Sequence, residues 1–323
     1  MEQAILGIDI SKDSFDTALL INGAYKFNTF TNEPDGFHRM TKWLNKLKCG
    51  HLHCCMEATG RYADHVAEYL YVSGHSVSVV NPARIKFYAN SKLKRNKTDK
   101  ADAQLIAEYC LREKPSLWSP PPANFKNLQA LIRHLDGLMK SRQQERNRLN
   151  SGVSTPGVIT SLQDCISFYD QQINNIQSQI QNLINNDPEL LRRQTLLISI
   201  PGIGKLTAAK LLGEVRDISA FQSARQLAAY AGLTPKNMLS GSSVRKKTVI
   251  SKTGNAHLRK LLFMPGITAR NWNPIISPFC DRLSQNGLSP MEVICASMRK
   301  LLHLVYGILK SGKPFDPNYL ENA

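Results

Sequence analysis

The order of strand-like and helix-like segments over the first 120 residues is the feature that most constrains the fold. Three β-type segments come first, and an Asn22-Gly23 pair between the second and third is typical of a tight hairpin turn. Strands that then pass into strand–helix alternation are typical of a mixed α/β sheet. The predicted strands are 4–10, 14–22, 24–31, 51–57 and 75–80, and the predicted helices are 33–48, 62–73, a segment after Pro82 and 101–112.

Four acids occupy positions where a carboxylate needs a partner. Asp9 ends the first strand and Glu57 ends a later one, and an unpaired carboxylate within a sheet is unfavourable. Asp99 and Asp102 are three residues apart, next to Thr98 or Asp99 as a helix N-cap, so they share one helix face. We call Asp9, Glu57, Asp99 and Asp102 the four acids.

Strand and helix carboxylates in this combination predict a site for one or two Mg²⁺ ions. Mg²⁺ prefers carboxylate and water oxygens, and a pair of ions can hold the attacking and leaving oxygens of a phosphodiester. A second interpretation stays open on the residues alone, in which these are turn, N-cap and solvated acids without a ligand.

Charge is distributed unevenly along the chain. The net charge is +16, and residues 218–280, here called the basic block, hold nine basic side chains and no acid. A solvated face usually mixes signs, so the block predicts a surface for a polyanion. A membrane surface is the weaker alternative, because the block lacks a long basic amphipathic helix.

Composition also limits the class of protein. No apolar run reaches membrane-spanning length and no export signal is visible at the N-terminus, so we expect a cytoplasmic protein without a membrane partner. The seven cysteines are scattered, odd in number and without a Cys-x-x-Cys motif. This pattern favours reduced thiols and argues against a zinc site.

A proline-rich stretch at 115–124 marks a domain boundary, because consecutive prolines cannot continue a helix. We predict domains at 1–120, 121–190 and 191–323. The middle one contains two long helical patterns, 124–150 and 158–186, and the second carries apolar residues at alternating spacings of three and four. This predicts an antiparallel coiled-coil hairpin with an apolar edge for a second subunit, although a hairpin closed on itself is also compatible.

The third predicted domain is mainly helical, with helices near 196–212, 255–270 and 289–311. Pro201-Gly202-Ile203-Gly204 resembles the turn of a helix-hairpin-helix element, whose backbone N–H groups can approach a phosphate. A plain packing corner is the alternative. Serines on the basic loop after residue 239 could hydrogen-bond phosphates, or one could be a nucleophile, and composition does not choose among them.

The candidate nucleic-acid-binding residues combine basic side chains with small residues of these turns and loops. They are Lys92, Lys94, Arg95, Lys97, Gly202, Gly204, Lys205, Ser242, Ser243, Arg245, Lys246, Lys247 and Lys252.

These motifs together resemble the DEDD-type transposases of bacterial insertion sequences, the one-ten family, which is also described as bridge-RNA-guided recombinases. The resemblance runs from about residue 4 to about residue 315. Its anchors are Gly7-Ile8-Asp9, Glu57-Ala58-Thr59-Gly60, Asn96-Lys97-Thr98-Asp99, Asp102-Ala103, Pro201-Gly202-Ile203-Gly204, Gly232-Leu233-Thr234-Pro235 and Ser240-Gly241-Ser242-Ser243.

The resemblance implies a fold, an activity and partners. It implies an RNase H-like N-terminal domain of the Holliday-junction-resolvase type, with the four acids as Mg²⁺ ligands and Ser240 as the nucleophile. It also implies an element-encoded guide RNA that pairs with donor and target double-stranded DNA, and dimers joined through the coiled coil that assemble into a synaptic tetramer. The expected reaction is cleavage and rejoining of DNA strands. The alternatives are a hydrolytic junction endonuclease using water, and a nucleic-acid-binding protein without catalysis.

Overall fold

A computed structural model describes residues 4–58, 60–92, 98–240 and 244–318. The chain divides into two compact units, Met1–Pro120 and Pro121–Ala323. The division falls within the proline-rich stretch, where the sequence predicted that the first domain ends.

The first unit is built on a five-stranded sheet in the order β3-β2-β1-β4-β5. β1, β2 and β3 are antiparallel, whereas β1, β4 and β5 are parallel, which confirms the mixed α/β sheet. Asn22 and Gly23 both have positive φ, as a two-residue hairpin turn between β2 and β3 requires. The elements are β1 (Ile5–Ile10), β2 (Ser14–Ile21), β3 (Ala24–Thr31), α1 (Pro34–Lys46), β4 (His53–Glu57), α2 (Arg61–Val72), β5 (Ser76–Val80), α3 (Pro82–Ser91) and α4 (Asp99–Glu113).

Helices cover both faces of this sheet. Side chains alternate along a strand, so Leu6 and Ile8 of β1 enter one apolar core, which also includes residues of α1 and α2. Ile5 enters the other core together with Ile85 of α3 and Ile106 of α4. The face of β1 that carries Ile5 is therefore the face that α4 covers.

The second unit is mainly helical and has one large apolar core, as the sequence predicted for its C-terminal part. Its elements are α5 (Ala123–Leu149), α6 (Pro156–Asn185), α7 (Pro188–Ile198), α8 (Lys205–Glu214), a 3-10 turn (Ile218–Ala220), α9 (Ala224–Tyr230), β6 (Pro235–Ser240), β7 (Val244–Ile250), α10 (Ala256–Leu261), α11 (Phe263–Trp272), α12 (Ile276–Gln285) and α13 (Pro290–Ser311).

Helices α5 and α6 pack against each other as the two arms of a hairpin. Arg142, which interrupts the apolar stripe of α5, forms an ion pair with Asp170 of α6. The base of the hairpin shares its core with the helices that follow, because Ile132 of α5 contacts Gly213 of α8. Val158 and Phe168 of α6 remain exposed.

Two features of the second unit differ from the sequence prediction. The helix expected near 255–270 is two helices, α10 and α11, because Pro265 has no N–H and its ring opposes a hydrogen bond to the preceding turn. The pair β6–β7 was not predicted, since the basic sequence of β7 lacks the apolar alternation of a half-buried strand.

Among the residues that the structure describes, no helix combines the length and apolar character needed to cross a membrane. All seven cysteines lie within those residues and are free thiols, which agrees with the expected reduced state.

Candidate functional site

A close helix–strand contact at Gly7 builds the candidate site. A Cβ atom at Gly7 would lie 2.2 Å from the carbonyl oxygen of Ala103 and 2.4 Å from the backbone nitrogen of Ala107. Only glycine allows α4 to approach β1 this closely, because any side chain would collide with helix backbone. The contact brings the first turn of α4, which carries Asp99 and Asp102, towards the end of β1.

The alternation of side chains places Asp9 and Glu57 on the face beneath α4. Asp9 is two residues after Gly7 and therefore points to the same side of β1. Cys55 of β4 is the register partner of Gly7 and lies in the core under α4, so Glu57 shares that face. The parallel pairing ends with Ile8 and Met56, the residues that directly precede Asp9 and Glu57.

The charges of the two helix acids act on Asp9. Burial is the main cause that raises the pKa of Asp9 to about 6, and the charges of Asp102 and Asp99 contribute in the same direction. Like charges raise the pKa of a carboxyl group when they lie close to it. The structure therefore brings a strand acid and both helix acids into one field, where a cation would be stabilised.

A fifth carboxylate, which the sequence analysis missed, belongs to the same field. Asp16 of β2 is the direct register partner of Asp9, and its charge also raises the pKa of Asp9. The hydroxyl of Thr29 donates a 2.5 Å hydrogen bond to Oδ1 of Asp16. The signal available in the sequence was the short connection 11–13 between the first two predicted strands, since residues that flank a short connection face each other.

The start of α4 positions its acids. Thr98 is the N-cap, and its Oγ1 accepts a 3.3 Å hydrogen bond from the backbone nitrogen of Ala101. Asp99 and Asp102 lie in the first turn, where free N–H groups and the helix dipole favour negative charge. This end of the helix partly offsets the repulsion between the acids.

The acids offer the carboxylate oxygens that Mg²⁺ prefers, but they do not form a complete coordination shell around an ion. Across 4–58, 60–92, 98–240 and 244–318, no three His, Cys, Asp or Glu side chains form a group that could hold a metal ion by themselves. Mg²⁺ usually takes one or two protein carboxylates and completes its shell with water and substrate phosphates. An open set of carboxylates with mutual repulsion suits that mode of binding.

A cavity of about 790 Å³ lies at the opposite end of β1. Its lining includes Ala4 and Ile5 of β1, Tyr25 of β3 and Glu108 and Arg112 of α4. Asp9 is at the other end of the strand, so this cavity is separate from the acids.

The basic residues predicted before α4 are only partly described. The ammonium group of Lys92 forms a 2.7 Å ion pair with Glu108 and lies over the ring of Tyr88. The charge of Lys92 is therefore already paired with an acid of the first unit. Lys94, Arg95 and Lys97 lie outside the described residues.

The predicted helix-hairpin-helix turn divides into a packed and an open part. Gly202 has a φ of 105°, and a Cβ atom there would lie 3.1 Å from Ala269 of α11, so this glycine serves packing. Gly204 has open space beside it and is the N-cap of α8, next to the exposed Lys205. Only the Gly204 end of the turn is free to approach a phosphate.

Ser240 belongs to the second unit, whereas the four acids belong to the first. It is the last residue of β6 and pairs through its backbone with Val244. Its side chain lies outside the described part, as do Ser242 and Ser243 and the side chains of Arg245, Lys246 and Lys247. Lys252 follows β7, is exposed and has a φ of 55°.

Comparison with known families identifies both units. Residues 6–155 match the DEDD transposase family of the IS110 type, and residues 194–281 match a family described as Transposase IS116/IS110/IS902. The chain is 38% identical to the pilin gene-inverting protein of Moraxella bovis, over 99% of this chain and 100% of that protein.

Two further relatives are named as transposases. The transposase for insertion sequence element IS1328 of Yersinia enterocolitica is 26% identical, over 96% of this chain and 98% of its own length. The transposase for insertion sequence element IS1111A of Coxiella burnetii is 28% identical, over 80% of this chain and 75% of its own length.

Proposed function

The chain belongs to the IS116/IS110/IS902 family of transposases, and on that premise we propose that the four acids and Ser240 together transfer DNA phosphodiesters. The protein is a DNA transposase or recombinase with a DEDD domain, a domain type that is RNase H-like and uses a divalent metal. The observation that supports the proposal most is the close approach of α4 to β1 at Gly7, together with the pKa of Asp9, which burial and the charges of Asp102 and Asp99 raise.

The acids of the first unit would hold Mg²⁺ through their carboxylate oxygens. Bound Mg²⁺ would polarise the scissile phosphate and favour loss of the proton from the attacking hydroxyl. The chain itself supplies the position of these oxygens, because Gly7 fixes the distance of α4 from β1 and Thr98 fixes where α4 starts.

Ser240 would be the attacking group. Its Oγ would form a bond to phosphorus while the bond from phosphorus to the leaving DNA oxygen breaks, and the proton of Ser240 would pass to solvent or a nearby base. A DNA hydroxyl would then attack the phosphoserine and restore the serine hydroxyl. The number of phosphoester bonds is conserved, so rejoining needs no ATP.

Two relatives support rejoining over simple cleavage. The proteins of Moraxella bovis and Moraxella lacunata, each 38% identical to this chain, are named as pilin gene-inverting proteins. Inverting a gene requires that every cut end be joined again. We propose that this chain likewise rejoins every strand that it cuts, with donor and target double-stranded DNA as its substrates.

Guidance by an element-encoded RNA and assembly into dimers and tetramers are part of the same proposal. The acid-free basic block suits RNA and DNA equally, because both present a phosphate backbone. The exposed Val158 and Phe168 on α6 suit a contact between hairpins of two subunits. Transposition assays with and without the flanking non-coding RNA, and light scattering, test these two points.

A denaturing gel of protein with labelled junction DNA and Mg²⁺ tests the central chemistry. The wild type should give a covalent protein–DNA adduct. Ser240→Ala should lose the adduct but keep binding, and Asp99→Asn should lose both adduct and cleavage. Asp13→Asn is the matched control, since Asp13 is an exposed acid of the same unit outside the four acids.

Each result has a distinct meaning. Persistent adducts in Ser240→Ala would refute the serine as nucleophile. Cleavage without adducts in both the wild type and Ser240→Ala would indicate a hydrolytic endonuclease in which water attacks. Full activity of Asp99→Asn would remove the metal role of the acids.

A further inference from the structure

A buried ring nitrogen in the second unit has no hydrogen-bond partner among the described residues. This atom is Nε2 of His303 on α13, which is shielded from solvent. A buried polar atom without a partner is unfavourable, so such an atom needs an explanation, and a missing ligand is one of the established explanations.

Three positively charged side chains act on this ring. Burial lowers the pKa of His303, and the positive charges of Arg299, Lys300 and Arg225 lower it further. Arg299 and His303 are four residues apart on α13 and therefore share one helix face. Arg225 comes from a different element, α9, which packs against α13.

The position of Arg225 is fixed by the start of α9. The side chain of Ser223 caps the helix by accepting a 3.2 Å hydrogen bond from the nitrogen of Gln226. The hydroxyl of Tyr306 on α13 donates a 3.2 Å hydrogen bond to the carbonyl of Phe221, four residues before Arg225. The two helices are thus tied together next to the cations.

Within the described part of the chain, neither Arg225 nor Arg299 takes part in an ion pair or a side-chain hydrogen bond. Lys300 lies over the ring of Phe279 at 5.9 Å, so it adds charge but is held aside. Unpaired cations that converge from two elements repel each other and are stabilised by an anion.

We propose that Arg225, Arg299 and His303 form a binding site for a phosphate group of a nucleic-acid backbone. The guanidinium groups would hold two phosphate oxygens, and a neutral His303 ring with its hydrogen on Nε2 would donate to an oxygen and satisfy the buried nitrogen. The proposal rests on the proposed function, because it takes nucleic acid as the substrate. It extends the basic block, which contains Arg225, onto a helix that the charge count did not single out.

Fluorescence anisotropy with labelled duplex DNA and labelled RNA, in EDTA and over a range of salt, tests the site. Arg225→Gln and Arg299→Gln should each weaken binding by roughly threefold to tenfold and reduce the salt slope by about 0.9 on B-DNA. The double variant should lose about twice that slope. Arg282→Gln is the matched control, because Arg282 is an exposed arginine of the same unit that lies over Phe279.

Binding and slope of the double variant equal to those of Arg282→Gln would refute the site. Circular dichroism and melting check that each variant is folded, and the exposed Arg225 is the change least able to disturb folding. The chemistry is tested separately, because Asp99→Asn should bind like the wild type in EDTA. Loss of strand transfer with intact binding would thus leave this proposal standing.

Proton NMR of the His303 ring distinguishes ligand binding from a merely structural role, because only a ligand at the ring would shift its signals. Short oligonucleotides at micromolar concentration should shift the ring signals, whereas inorganic phosphate should need millimolar concentration. The assignment uses His303→Gln, in which the signals vanish. Equal responses to phosphate and oligonucleotide would contradict a backbone site, and so would signals that do not move.

Discussion

The two units collect charge of opposite sign in different ways. In the first unit, carboxylates converge because a helix backbone presses onto a strand at Gly7, and Asp9 loses its ordinary acidity as a result. In the second unit, cations on α9 and α13 gather around His303 through side chains, and the helices are tied by the hydrogen bond from Tyr306 to Phe221.

This difference indicates how each region would respond to the ligand that is proposed for it. Carboxylates held by close backbone packing are preorganised for a small cation, which demands nearly fixed geometry. Long arginine side chains can follow a phosphate backbone whose position varies with sequence and shape. The following changes test whether the first region depends on packing and the second on side chains.

Asp9→Asn should have the largest effect. Strand transfer should fall about a thousandfold, because a neutral amide replaces a carboxylate that would hold the metal. Asp16→Asn should stay within about tenfold, since Asp16 already accepts from Thr29. Single-turnover rates with Mg²⁺ and Mn²⁺ titration by electron paramagnetic resonance measure both. An equal loss of strand transfer in the two variants would show that Asp16 matters as much for the reaction as Asp9.

Gly7→Ala should destabilise the first unit by about 2 kcal/mol or more, because the new methyl would meet the backbone of Ala103 and Ala107. Urea unfolding measures the change. The matched control is Gly50→Ala in the same unit, where a Cβ atom would have nothing within 4 Å. If both variants unfold at the same urea concentration, the close approach of α4 is not what positions the acids.

Stability of the first unit should depend on pH through Asp9. Its folded pKa is about 6 against an ordinary value of 3.8, so the folded state binds the proton more tightly. This contribution to stability is fully present below pH 3.8 and is lost as pH rises through about 6. In EDTA, Asp9→Asn should flatten that part of the curve.

The expected size of the pH effect is small. Asp9 is partly exposed, so solvent screening reduces its contribution, and the melting temperature should differ by roughly 3 °C or less. Thermal unfolding in EDTA from pH 4 to pH 8 measures it. Mg²⁺ should restore stability to the wild type at the high end of the range and not to Asp9→Asn. A wild-type curve that is flat in EDTA would contradict the convergence of the acids.

Thr98→Ala should have the smallest effect, about 1 kcal/mol, because it removes the N-cap bond at the start of α4. Thr155→Ala is the matched change in the second unit, where the threonine before α6 makes no side-chain cap bond. That variant should stay close to the wild type. Denaturant unfolding of both proteins decides the point, and an equal effect would mean that the cap contributes nothing to α4.

The sequence predicted the first unit almost completely. The five strands and the helices between them begin and end within about two residues of the predicted positions, because apolar alternation and turn residues are local properties. The sequence did not predict that Asp16 lies beside Asp9 or that Gly7 allows the close approach of α4, since both depend on which residue lies opposite in space. In the second unit, α9, α12 and the β6–β7 pair were not predicted, because their segments are short or polar.

By itself, the sequence determined which side chains carry charge, which segments of the first unit form strands and helices, and the family to which the chain belongs. Only the tertiary structure decided that Asp16 joins the charges that act on Asp9, and that Arg225 and Arg299 act on His303. The physical reason is the distance along the chain over which each effect acts. Propensity and periodicity act over a few neighbouring residues, whereas a shifted pKa requires groups from different elements to come within a few ångströms in a poorly solvated place.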